Sequence, residues 1–255
     1  MSRRPGTGAP NLEAHLKADR EATPGPEPWV TRWTDFRDEE DPGLSGDGPQ
    51  LLAAERPMEV VAVPLRTAFG VTVGSGLWRQ PGMVDAIRAI PGIGRVSLSP
   101  IGGTLGPGGQ EWLHLMLVAR PPDPFPRPLD SLMALTTGLL QAPLRPSGLS
   151  LVGGRIDRAW CPGFSDLAVD GRKLAGIGFK LTRELALVRV IVGLRRPPPE
   201  RLAPLAASHQ VAGFELDPEA LSWLGDLLRM PDMSADQAVR LLASASAPEP
   251  EKIDP

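Results

Sequence analysis

Residues 160–194 read WCPGFSDLAVDGRKLAGIGFKLTRELALVRVIVGL, and their pattern decides the fold. The runs DLAVD and KLAGIGFK flank Gly171. An Asp-Gly pair between two such runs is a strong hairpin signal, because glycine accepts the positive φ of a type I′ turn. A second turn near Thr182 leads into ELALVRVIVGL, an apolar run long enough for a strand buried on both faces. Three strands joined by tight turns predict an antiparallel sheet.

Working outward, MEVVAVPL (58–65) and AFGVTVG (68–74) are short β-branched runs separated by a break, and GRVSLSP (94–100) and EWLHLMLVA (111–119) extend the series. GLSLVGG (148–154) supplies a further strand. Helices are expected over PGMVDAIRAI, with Pro81 near its start, and over LDSLMALTTGLLQAP. Near the N-terminus, NLEAHLKADREA offers Asn11 as a helix cap, WVTRW alternates like a strand, and DEEDPGLSGDGPQ reads as a mobile acidic loop. Strands joined mainly by hairpins, with helices between some of them, predict an α+β domain built on a mixed, mostly antiparallel sheet flanked by helices. Residues 1–10 are expected to be disordered and 11–197 to form the main domain. Residues 198–255, where prolines alternate with the helical pieces PEALSWLGDLLRM and SADQAVRLLASA, are expected to be a small helical appendage with a flexible end.

Composition narrows the function classes. No run approaches the about 18 apolar residues of a membrane span, and MSRRPGTGAP lacks the apolar core of a secretory signal, so a cytoplasmic location and no membrane partner are expected. A single cysteine excludes an internal disulfide and a multi-cysteine zinc site. An acidic net charge of −3, no tyrosine and few aromatics argue against nucleic acid. Charge is uneven, however: residues 151–196 carry nine basic side chains against four acidic ones, while the two ends of the chain are acidic. Such a basic island suits an acidic partner protein or an anionic ligand.

Within that island stand the lone thiol, Cys161, and one of only four lysines, Lys173, in a chain with 23 arginines. A free cysteine is commonly a small buried hydrophobe. Here it sits in a Cys-Pro-Gly turn sequence near Arg155, Arg158 and Arg172, and a cationic setting favours the nucleophilic thiolate. Lys173 reads either as an ordinary strand-end lysine or as a compact ammonium able to polarise a thioester carbonyl. The glycine loop GGTLGPGG (102–109) lacks the Gly-Lys-Ser/Thr ending of a phosphate loop; it is a turn or a place where a ligand chain approaches the backbone. His15, His114 and His209 show no metal-ligand spacing, and His114, inside an apolar strand, reads as a core residue.

The segment CPGFSDLAVDGRKLAGIGFKLTRELALVRVIV resembles the core of the lipoate-protein ligase A and octanoyltransferase family, which carries a D-L-x-x-x-G-x-K-x-A-G hairpin. The family's lysine corresponds to Lys173. In the branch that moves octanoyl groups between carriers, a cysteine before Pro-Gly accepts the acyl group, and it corresponds to Cys161. RVSLSPIGGTLGPGGQEWLHLML occupies the place of the family's R-R-x-x-G-G-G-x-V-x-H loop, with the paired arginines replaced around Ser99 and Pro100, Thr104 at the third glycine and no histidine. That departure counts against ATP-dependent activation.

The resemblance implies a biotin/lipoate ligase-like catalytic domain in which Cys161 and Lys173 are catalytic and Gly102, Gly103, Thr104, Asp166 and Gly176 bind substrate. It implies transfer of an octanoyl or lipoyl group onto a lysine of a lipoyl-domain or glycine-cleavage-type carrier, with acyl carrier protein a further partner and no cofactor. Two alternatives stay open: an ATP-dependent lipoate ligase, which would use ATP and Mg²⁺, and a non-catalytic module that docks the carrier.

Overall fold

Strands Val30–Trp33 (β1), Arg37–Asp38 (β2), Glu59–Arg66 (β3) and Trp112–Ala119 (β7) form one half of the main sheet. Strands Val152–Gly153 (β8), Asp166–Val169 (β9), Arg172–Leu181 (β10) and Ala186–Gly193 (β11) form the other half. The computed structural model describes residues 30–38, 59–99, 101, 103–120, 128–182 and 185–246. The helix expected from Asn11, most of the acidic loop at 38–50, and Gly102 lie outside the described residues.

The order across the main sheet is β1-β3-β7-β11-β10-β9-β8, with β2 beside β3. Both β1 and β2 run parallel to β3, and every other pairing is antiparallel, so the sheet is mixed as expected. A smaller sheet orders Arg95–Leu98 (β5), Gly70–Val73 (β4) and Leu105–Gly108 (β6). β6 is LGPG, which propensity alone reads as loop. It is a strand because β4 supplies ladder partners from Gly70–Gly108 to Val73–Leu105.

β7 is buried at all eight positions because both faces of the sheet are covered. On one face Val60, Leu113, Leu115, Leu117 and Val190 pack under helix Pro128–Gln141 (α3) and helix Ala235–Ser246 (α6), through Leu132, Leu140, Ala238 and Leu242. On the other face, Trp112 and Ile191 meet Val71, Val73 and Leu105 of the small sheet. The short helices Ser75–Trp78 (α1) and Met83–Arg88 (α2) join β4 to β5, and α2 contributes Ile87 to this second cluster. Among the described residues, no helix is long and apolar enough to cross a membrane.

The C-terminal stretch, expected as an appendage, packs into both clusters. Helix Pro199–Val211 (α4) inserts Leu205, and Leu221 and Trp223 follow it beside Trp112 and Trp160; helix Leu224–Leu227 (α5) places Leu224 in the main core. The expected helix over 218–230 is divided by an extended segment, Leu221–Trp223, whose Ser222 N–H donates to Lys173 O at 2.8 Å. That backbone bond ties the tail directly to β10.

Candidate active site

A cavity of about 510 Å³ opens between the two sheets, lined by Gly103 and Thr104 from one side, Cys161 from a loop, and Gly176 and Gly178 from β10. Strand alternation explains the last two: Gly176 pairs with Ile191 and Gly178 with Arg189, and both partners also line the cavity. Positions 176 and 178 therefore present bare backbone where side chains would fill the space. A Cβ built at Gly178 would stand 3.2 Å from Ile101 Cγ2, and one at Gly176 would stand 3.1 Å from Lys173 Nζ.

A β-bulge sets the position of Lys173. The register against β9 shifts between Lys173, opposite Ala168, and Ala175, opposite Leu167. Leu174 and Ala175 consequently both enter the main core, and Lys173 turns to the face that carries Gly176. Regular alternation from Ala175 would aim the lysine into the hydrocarbon core instead.

There Lys173 is fully buried, and its ammonium has three acceptors: Trp160 O at 2.5 Å, Cys161 O at 3.2 Å and Asp166 Oδ1 at 2.7 Å. Its Nζ also lies 4.8 Å from the centroid of the Trp160 ring, a cation-π contact. The other carboxylate oxygen of Asp166 accepts the N–H groups of Gly163 (3.1 Å) and Ile156 (3.3 Å). Burial pushes Lys173 below its ordinary value and Asp166 above its own, while the opposite charge of each partner pulls back. With three acceptors for three protons, the pair is held as ammonium and carboxylate.

This pair clamps the loop that carries the thiol. Cys161 adopts φ 42°, a left-handed conformation that L side chains rarely take, and Arg158 does the same at φ 61°. Lys173 holds the carbonyls on either side of the Trp160–Cys161 peptide junction, and Asp166 holds Gly163 beyond it. The Cys161 sulfur faces the cavity and accepts the N–H of Thr104 at 3.0 Å. Gly103, at φ 97°, lets that backbone close in; a Cβ there would be 2.9 Å from Sγ.

Of the residues singled out in the sequence, Cys161, Asp166, Gly103, Thr104 and Gly176 line the same cavity, while Lys173 lies behind the loop and is not part of the lining. Lys173 bonds the backbone oxygens of Trp160 and Cys161, on the side of the loop away from the cavity. The cationic setting expected from nearby arginines is also modified. Arg155 pairs with Asp157, and Arg158 with Glu215 and Asp217, so two of those charges are met by carboxylates, the latter from the acidic tail.

Among the lining residues that the sequence did not single out, Arg189 is the charged one. Arg189 lines the cavity and is only 4% exposed, and its Nη2 donates to His114 Nδ1 at 2.8 Å. His114 in turn donates from Nε2 to Pro107 O at 2.8 Å, an arrangement of a neutral ring; burial and the Arg189 charge hold its pKa well below the ordinary value. The signal was present as a lone arginine inside the otherwise apolar ALVRVIVG. His114 is the core residue expected.

No protein-family model matches the chain. It is 28% identical over 130 residues to an octanoyl-[GcvH]:protein N-octanoyltransferase of an Exiguobacterium species, an overlap of 46% of each sequence. The chain thus spans about half the length of the curated relative it matches. Among solved structures, a lipoate-protein ligase A bound with ATP superposes with a TM-score of 0.58 at 14% identity, covering 86% of this chain and 83% of that one. A bi-partite lipoate protein ligase of Thermoplasma acidophilum, solved in a study with its E2 lipoyl domain, superposes with a TM-score of 0.55 at 13% identity, covering 86% and 82%. At these identities the structural likeness shows the fold, which is the lipoate-protein ligase catalytic fold.

Proposed function

We propose, from the premise that this chain has the lipoate-protein ligase fold and resembles the lipoate ligase and octanoyltransferase family in sequence, that it transfers an octanoyl or lipoyl group onto a carrier-protein lysine through an acyl-Cys161 intermediate. The observation that carries the reading is the Cys161 sulfur, held on a clamped left-handed turn at the wall of a glycine-floored cavity. Splitting the transfer lets a thiol accept the acyl group and an amine collect it later, two easier steps in place of one. Gly176 and Gly178 leave the acyl chain a path along β10. Asp166 and Lys173 fix the attacking sulfur rather than the substrate.

The partners that fit this chemistry are a lipoyl-domain or GcvH-type carrier, as the names of the octanoyltransferase relative and of the Thermoplasma ligase suggest. The transferase reaction needs no cofactor, since a thioester donor already holds the acyl group activated. Transfer from an octanoyl carrier to a lipoyl domain, followed by mass spectrometry without nucleotide, tests the reading. Octanoylation of the acceptor lysine without ATP supports it. Transfer from free lipoate that appears only with ATP and Mg²⁺ and survives Cys161→Ala replaces it with the ligase reading, and carrier binding without transfer replaces it with the docking module.

A further inference from the structure

We infer that Thr104 is the oxyanion-stabilising residue of this site, donating from both its backbone N–H and its side-chain hydroxyl to the carbonyl oxygen of the acyl group; the inference rests on the acyl-cysteine reading above. When a thiol adds to a thioester, negative charge develops on the carbonyl oxygen, and donors placed there in advance contribute most to the rate. Lys173 is not such a donor, because its three protons are taken by Trp160 O, Cys161 O and Asp166 Oδ1, and it does not reach the cavity wall.

Thr104 meets the requirement twice. Its N–H already points at Cys161 Sγ from 3.0 Å, one bond short of the carbon that would be attacked. Its Oγ1 is buried, belongs to a residue that lines the cavity, and has no hydrogen-bond partner among the described residues. A buried hydroxyl without a partner is rare in folded proteins and calls for an explanation in terms of function or a ligand. The residue is also fixed before reaction: Gly74 N–H donates to Thr104 O at 2.7 Å, and Gly74 has no room for a side chain, since a Cβ there would lie 1.9 Å from Gly103 O.

The steps balance without an added reagent. The Cys161 sulfur attacks the donor's carbonyl carbon, the new C–S bond forms, and the carbonyl π pair moves onto oxygen, where Thr104 N–H and Oγ1–H donate. Collapse restores the carbonyl and breaks the bond to the donor sulfur, which leaves with the proton that Cys161 gave up. The carrier amine then adds to the same carbon, the oxygen passes through the same pair of donors, and the Cys161 sulfur leaves, taking up the amine's proton.

The test compares wild type, Thr104→Val and Thr104→Ser in two reactions at Cys161: acylation by an octanoyl thioester, followed by intact mass, and alkylation by iodoacetamide, which forms no oxyanion. Thr104→Val should acylate about 10- to 100-fold more slowly, somewhat less than the loss on deleting an oxyanion donor elsewhere because the backbone N–H remains. Its alkylation should stay within about twofold, and Thr104→Ser should recover most of the acylation rate. Equal acylation by Thr104→Val and wild type, or an equal slowing of both reactions, overturns the assignment. A wild-type chain that takes up no acyl group overturns the parent reading, and is distinguished because that failure precedes any comparison of variants.

Discussion

At the scale of single residues, the site turns on a division of labour between Cys161 and Lys173. A buried ammonium is costly to hold in an apolar interior, and it persists here because a carboxylate and two carbonyls surround it. Removing the ammonium leaves Asp166 as an uncompensated buried charge and two carbonyls without a donor. Lys173→Met should therefore lower unfolding free energy by about 3–5 kcal/mol in urea titrations, the range for breaking a buried pair, and adding Asp166→Asn should cost little more. A loss under about 1 kcal/mol would mean that the clamp is not structural. That Cys161 and Lys173 stand together was legible in the sequence, from the rarity of each and from the motif. Their relation was not, because which acceptors a lysine meets is decided by a bulge and a loop twelve residues away.

Elements shape the cavity proposed for the acyl chain. The β9–β10 hairpin was legible because its signal is local: Asp170 takes φ 50° and Gly171 φ 74°, as the type I′ turn requires. β6 was not, since a Leu-Gly-Pro-Gly strand exists only through its pairing with β4. β10 joins both cases, with a legible strand and a bulge that no pattern announced. Its glycines give a direct test of the cavity's use. Gly178 pairs with Arg189 two residues beyond Gly176, about 7 Å further from the Lys173 end at the rise of a strand. Gly178→Val should lower the kcat/KM for an octanoyl donor at least about tenfold while a butanoyl donor stays within about threefold, because the added methyls fill the distal end against Ile101. Equal loss for both donors would place the chain elsewhere.

For the molecule as a whole, the tail is part of the scaffold, which the sequence hid because the contacts are long-range. Leu205, Leu221 and Trp223 are individually ordinary apolar residues between prolines, and only the fold brings them under Trp112 and Trp160. His209 on α4 is buried in this seam, donating from Nδ1 to Leu205 O at 2.7 Å, and burial lowers its pKa from the ordinary 6.5 to about 4. Between those values the unfolded chain binds a proton that the folded chain excludes, so stability is full above pH 6.5 and falls as the pH drops toward 4. Denaturation between pH 7 and 4 should show a loss of about 3 kcal/mol from this group, with His114 acting in the same direction, and His209→Gln should flatten that slope. A slope unchanged in His209→Gln would contradict the burial of this seam. The proposed intermediate is covalent, and intact mass after incubation with an octanoyl thioester reads it most directly. One octanoyl group per chain, released by hydroxylamine and absent from Cys161→Ala, is the expected result; an unmodified wild-type chain, or an adduct that survives Cys161→Ala, would contradict the acyl-cysteine route.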